Sequence, residues 1–161
     1  MAALAELASA ISDARQSVFR AEYLQDYPDD PQWWAYQQGH DWTANEDLAA
    51  WCALVRANVE RGVTMQRVHV VTTPWTPYVR FEIEQHYPFN LAAGEEVRLL
   101  TVLMQSARKD FWLVDDERGW LLDYADDGTM TVIEASERTL PILRDWRDAA
   151  LGMSTTLAMP A

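Results

Sequence analysis

A single cysteine, Cys52, stands among 161 residues. It excludes an internal disulfide and a cysteine-based zinc site. Bases are scarce as well, 13 against 25 acids, for a formal charge of −12. That balance argues against nucleic acid as a direct partner, because affinity for phosphates needs clustered Lys and Arg. It argues equally against an anionic membrane surface. A basic protein or a cationic ligand is compatible with it, and so is a charge that only keeps the chain in solution. No run reaches the roughly 18 apolar residues of a membrane span. The N-terminal stretch MAALAELASAISDARQ has no basic region ahead of its apolar residues and carries acids within them. It does not read as a signal peptide, so the cytoplasm is the expected compartment. Phosphate loop, G-x-G-x-x-G, H-E-x-x-H and G-x-S-x-G are all absent. His40, His69 and His86 lie far apart, and no spacing demands a metal, so neither metal nor cofactor is expected.

Aromatic residues are plentiful: eight Trp, six Tyr and four Phe within 49% apolar residues. That is ample for one folded domain spanning residues 1–161, with a tail from 151 onward that is frayed or docked on a neighbour. The first segment reads as a helix reaching about Tyr23, with Leu4, Leu7, Ile11, Val18 and Phe19 near a 3.6-residue period. YPDDP (27–31) breaks it. Trp33 to Tyr36 reads as a short strand, and its aromatics serve either as a ligand wall or as packing. Thr43 and Glu46 form a capping box ahead of a helix whose apolar stripe is Leu48, Trp51, Cys52, Val55 and Val59, closed by Gly62. Cys52 on that stripe reads as a buried thiol.

Gln66 to Val71 is a strand that places Arg67, His69 and Val71 on one face. Thr76-Pro77 starts a helix that Pro88 ends after about Tyr87. Val97 to Gln105 fits either strand or helix. Phe111–Asp115, Trp120–Ala125 and Thr129–Ala135, joined by Asp/Gly turns, form an antiparallel meander, and a helix runs from Leu140 to Leu151. The class is α+β: a mixed or mostly antiparallel sheet of about five strands with three to four packed helices.

Two residues apart on a strand, Arg67 and His69 share a face about 7 Å apart. Four apart on the next helix, Tyr78 and Glu82 share another. A helix folded back on the strand brings guanidinium, imidazole, phenol and carboxylate together, a set able to bind a polar or anionic ligand or to move a proton. The plainer alternative is a solvated face with an ordinary Arg67–Glu82 ion pair. Asp110, Asp115 and Asp116 bracket an apolar run and serve either as turn residues or, where they converge on a cleft, as a site.

Five stretches together resemble an uncharacterised family of small actinobacterial proteins often encoded beside helix-turn-helix regulators: RGV (61–63), RVHVV (67–71), P…YVRFE (74–82), N…AGEEVR (90–98) and DFWLVDD (110–116). The resemblance spans about Phe19 to Leu151. It implies that Arg67, Tyr78, Glu82, Asn90, Glu95 and Asp110 belong to one shared feature. Arginine is commoner in that family where His69 stands. The expected function is a non-catalytic ligand-sensing or protein-interaction module, accessory to a transcription regulator or a biosynthetic pathway. Its ligand-binding candidates are Arg67, His69, Tyr78, Glu82, Asn90 and Asp110. Its partners are a small polar ligand, a basic or DNA-binding regulator, or a second copy in a homodimer. The alternative is a small enzyme acting on a polar or anionic substrate, with Glu82 or His69 as acid-base and Arg67 as anchor.

Overall fold

The computed structural model describes residues 2–27 and 29–159. Its frame is a mixed sheet of seven strands among these residues, in the order β6-β5-β4-β1-β2-β3-β7. Helix α1 (Ala2–Ser12) leads into β1 (Ser17–Glu22). Next come α2 (Pro31–Gln37), a 3₁₀ turn (Trp42–Ala44), α3 (Glu46–Glu60) and β2 (Thr64–Thr72). Helix α4 (Pro77–Phe81), a π turn (Glu82–His86) and α5 (Tyr87–Ala93) then run in succession into β3 (Glu96–Val102). β4 (Asp110–Val114), β5 (Arg118–Tyr124) and β6 (Met130–Glu134) form the meander, and α6 (Leu140–Met153) and β7 (Thr155–Thr156) complete the chain. The three strands β1, β2 and β3 are parallel, and the other pairings are antiparallel.

Several sequence expectations are corrected. The first helix stops at Ser12, and Ser17–Glu22 is a strand paired with both β2 and β4. Burial at the sheet centre overrides the weak helical period there: Val18, Phe19, Ala21 and Glu22 are all buried. Trp33–Tyr36 is helix, because Asp30 caps the amides of Gln32 and Trp33 and Pro31 opens the first turn. Asn45, not Thr43, caps α3, while Asp41 caps the preceding turn. Val59 lies off the buried stripe. Pro88 does not end its helix; it sits in the first turn of α5, just past the π turn. The sheet exceeds five strands because Ser17–Glu22 and Thr155–Thr156 join it, the latter docking the tail on β3. Of Val97–Gln105, the part to Val102 is strand and the rest is loop, and the meander stands as expected. Of the YPDDP break, Pro28 lies outside the described residues, as do Pro160 and Ala161 of the tail.

The sheet has two unlike faces. On one, Phe19, Ala21, Val68, Val70, Phe111 and Leu113 pack against Leu143 and Ala150 of α6. On the other, Val18, Met65, Trp112, Val114 and Trp120 pack against α1 and α3 through Leu7, Ile11, Leu48, Cys52 and Val55. That second face is apolar toward the start of β1 and β2 and polar farther along, where Arg20, Glu22, Arg67 and His69 project, before Val71 returns β2 to apolar packing. Parallel pairing sets Arg20 beside Arg67 and Glu22 beside His69.

One joint ties the sheet edge to the helical layer. Asp115, at φ 54°, turns the β4–β5 hairpin together with Asp116 at φ 61°. Its carboxylate accepts from the backbone N–H groups of Arg15, Gln16 and Ser17 at 2.7–3.0 Å. Asp115→Ala removes these bonds and puts a residue poorly suited to positive φ in the turn. The expected loss is about 2 kcal/mol of stability, read as a melting temperature lower by roughly 4–8 °C. An unchanged melting curve would show that the joint bears no strain of folding.

Candidate functional site

Burying Glu22 would be prohibitive without partners. Its side chain is almost fully enclosed, and both oxygens are engaged. Oε1 takes Arg67 Nη1 at 2.8 Å and Arg20 Nη2 at 2.7 Å, and Oε2 accepts from the Tyr87 hydroxyl at 2.9 Å. Arg67 continues the chain by donating Nε to Glu95 Oε1 at 2.8 Å. Glu95 Oε2 accepts from Asn90 Nδ2 at 2.6 Å and Trp51 Nε1 at 3.1 Å. Arg20 stacks over the Trp112 ring, 5.0 Å from its centroid.

The π turn shapes the other half. In such a turn residues five apart come onto one face. Glu82 and Tyr87 therefore both reach the sheet, and the Tyr87 hydroxyl lies 3.1 Å from Glu82 Oε2. His69 faces both, with Nδ1 2.7 Å from the Tyr87 oxygen and 3.1 Å from Glu82 Oε2, while Nε2 lies 3.0 Å from the Leu24 carbonyl. With an acceptor at each ring nitrogen, the imidazolium satisfies the set. Burial opposes that charge, but the Glu82 carboxylate, its hydrogen bond and Glu22 outweigh it and raise the His69 pKa from 6.5 to about 9. For Glu22 too, burial is the largest influence and opposes ionisation. Arg20, Arg67 and His69 overcome it and hold the carboxyl at about 2.

Glu22, His69 and Glu82 offer ligand atoms within 4.8 Å of one another and are the cluster here with the chemistry to hold a metal ion. The fit is poor on two counts. The Tyr87 oxygen stands between the three, and two guanidiniums already neutralise Glu22. A divalent cation would have to displace the phenol and tolerate both arginines.

Beside this network opens a cavity of about 590 Å³. It lies at the carboxyl end of β1 and over the middle of β2; open α/β sheets commonly bind ligands beyond strand ends. Arg20, Glu22, Arg67 and Glu82 reach it from the network, Trp51, Tyr27, Tyr78 and Tyr124 supply rings, and Asp29, Asp30 and Asp47 supply carboxylates. Lining residues Arg20, Gln32 and His86 each carry a buried polar atom with no partner (Nε, Oε1 and Nδ1). Burial lowers the His86 pKa, so that ring is neutral near pH 7.

Of the residues singled out in the sequence, Arg67, Tyr78 and Glu82 line the cavity. His69 is enclosed behind Tyr87 and Glu82 and is not part of the lining. Asn90 is buried under Glu95 and supports the network from below. Asp110 sits to one side, accepting from the Tyr23 amide and the Tyr27 hydroxyl. Burial, chiefly, raises its pKa. Arg67 and Glu82 do not form the expected ion pair; Arg67 pairs with Glu22 and Glu95, and Glu82 with His69. Arg20 and Glu22 are hidden in the sequence by the helical period of their segment. The signal was available: Val18, Arg20 and Glu22 alternate with Phe19, Ala21 and Tyr23 at period two.

The family model described as "Domain of unknown function (DUF6879)" matches residues 5–159. The chain belongs to this family. No curated protein sequence matches it. Among solved structures, a phospholipase D family member, Nuc from Salmonella typhimurium, is similar with a TM-score of 0.57. The identity is 12%, over 95% of this chain and 89% of that one. TrmBL2, an archaeal chromatin protein whose structure shows DNA binding, is similar with a TM-score of 0.51 and 9% identity. That match covers 95% of this chain and half of TrmBL2. At such identities the likeness is one of fold. Within the described residues, no helix is long and apolar enough to cross a membrane.

The network makes stability pH-dependent at both ends. The Glu22 contribution is present above its ordinary pKa of 4.5 and is lost as pH falls toward 2. The His69 contribution is present below 6.5 and is lost as pH rises through about 9. Urea unfolding should therefore give a stability maximum near pH 5–6.5, and His69→Gln should flatten the alkaline decline. A wild-type profile level from pH 6 to 10 would contradict the protonated histidine. Glu22→Gln leaves two guanidiniums short of a counter-charge and should cost about 3 kcal/mol in the same assay.

Proposed function

We propose that the protein is a non-catalytic ligand-sensing module whose ligand occupies the cavity beyond the end of β1. The observation that carries this reading is the pairing of a rigid, charge-matched floor with a roomy mixed wall. Arg20, Glu22, Arg67 and Glu82 are held in place by bonds from behind, as a preorganised binding site requires. The volume matches that of small-molecule sites, and aromatic rings share the lining with charged groups that can fix a ligand's orientation.

The surroundings we propose are those of an accessory protein, acting beside a transcription regulator or within a biosynthetic pathway in actinobacteria. The resemblance to proteins encoded beside helix-turn-helix regulators supports this setting, and so does the charge of −12, which suits a basic protein partner. The DNA binding of TrmBL2 does not carry over, because an acidic chain repels phosphates. A homodimer or a regulator is the partner to look for.

A second reading draws on Glu82, which both lines the cavity and touches the enclosed His69 and Tyr87. In that reading Glu82 exchanges a proton with a substrate, Arg67 anchors it, and His69 holds Glu82 in position from behind without reaching the substrate.

A thermal-shift screen of polar metabolites tests the first reading. A ligand at a hundred times its Kd adds about 2.7 kcal/mol of stability, a rise of roughly 5–10 °C for a chain of this size. Ala125→Trp, which places a large ring at the cavity lining, should abolish that rise. A ligand whose shift survives Ala125→Trp would place binding elsewhere. Turnover of the bound compound, lost in Glu82→Gln, would favour the second reading.

A further inference from the structure

The cavity's charges separate into a neutral floor and acidic walls. In the floor, the guanidiniums of Arg20 and Arg67 face the carboxylates of Glu22 and Glu95, and the His69 imidazolium faces Glu82. This leaves Asp29, Asp30 and Asp47 in the lining without a neutralising base, since no further Lys or Arg lines it among the described residues. Gly128 helps to set Asp29 in place. The glycine has φ +84°, and a Cβ there would fall 1.8 Å from the Asp29 carboxylate oxygen. Asp30 is the innermost of the three; it accepts from the Tyr78 hydroxyl at 3.0 Å.

Two further observations point the same way. Tyr27 lies 5.4 Å from Tyr78 and 5.5 Å from Tyr124, centroid to centroid, so three phenol rings form one wall, with Trp51 also in the lining. Ring faces attract cations and stack flat groups. The unpartnered Gln32 Oε1 needs a donor, and the neutral His86 can accept one. A carboxylate or phosphate ligand would meet three aspartates and offer no donor to these groups.

We propose, resting on the reading of the cavity as a ligand site, that its ligand is a small nitrogen cation, an amine or amidinium carried on a flat aromatic body. The cationic end lies among Asp29, Asp30 and Asp47, and the flat body lies against the tyrosine wall. The guanidiniums of the floor orient an uncharged acceptor on the ligand and do not bind an anion, because Glu22 and Glu95 already hold them. This assignment departs from the anionic substrate that an arginine on a strand first suggests.

Matched probes separate charge from shape. Benzamidine, benzamide and benzoate are nearly isosteric and carry positive, zero and negative charge. Titrated into the full chain at pH 7 and low salt, with binding followed by NMR shift changes, benzamidine should bind at least tenfold tighter than benzamide, and benzoate should not saturate. The Asp29→Asn/Asp47→Asn double variant should weaken benzamidine roughly tenfold. Both aspartates are exposed at the rim, so the variant should keep its fold. Raising the salt to about 0.5 M should weaken binding in the wild type and change little in the variant. Benzoate or benzamide binding as tightly as benzamidine overturns the charge assignment. If Ala125→Trp blocks that binding, the cavity reading survives the failure. Benzamidine affinity unchanged in the double variant, or no binding by any of the three probes, also overturns the assignment, and the metabolite screen then decides the cavity reading on its own.

Discussion

The Glu22 carboxylate, held between two guanidiniums inside the sheet, is the constraint on which the rest of the site depends. An isolated carboxylate at that depth would be neutral or would unfold the protein. Arg20 from the same strand and Arg67 from the next keep it charged. Each arginine then needs its own surroundings, so Glu95, Asn90 and Trp51 gather around Arg67, and the Trp112 ring lies under Arg20. Replacing such an array with apolar residues is often harmless to stability, whereas removing one member is not. The array is therefore better understood as fixing positions than as holding the fold together.

The helical layer answers the same constraint. An α-helix would turn Glu82 and Tyr87 to different sides, and the π turn brings both onto the sheet. Tyr87 then bridges Glu22, Glu82 and His69 through one hydroxyl, with the imidazolium supplying the proton that a single phenol cannot. A π turn of this kind costs helical stability and commonly marks functional positions. Here it forms the boundary between the enclosed network and the open cavity.

Strand β1 ends opposite His69, while β2 and β3 run on to Thr72 and Val102, and the cavity opens beyond the end of the shorter strand. The other face of the sheet, under α6, is packed mainly by apolar side chains. The face that bears the cavity combines packed core against α1 and α3 with the charged network. The two similar solved structures share this kind of fold at 9–12% identity, and a shared fold leaves the chemistry to the side chains placed on it.

Local sequence determined a good deal by itself. The alternation of Thr64–Thr72, the proline start at Thr76-Pro77, the stripe of α3 and the Asp/Gly turns of the meander are short-range signals, and each produced its element. They were enough to place Arg67, Tyr78 and Glu82 on facing surfaces, and all three meet at the cavity. The charge of −12 and the lone Cys52 likewise needed no structure. Only the tertiary structure decided which charges pair. Arg67 bonds Glu22 and Glu95, 45 and 28 residues distant, because strand register and helix packing, neither of them local, set those neighbours. The same holds for Ser17–Glu22, whose weak helical period yields to three-strand pairing. It holds also for Pro88, tolerated because the turn before it is widened. Periodicity reports what a segment prefers alone; the burial of a charge is settled by whatever the rest of the chain brings to it.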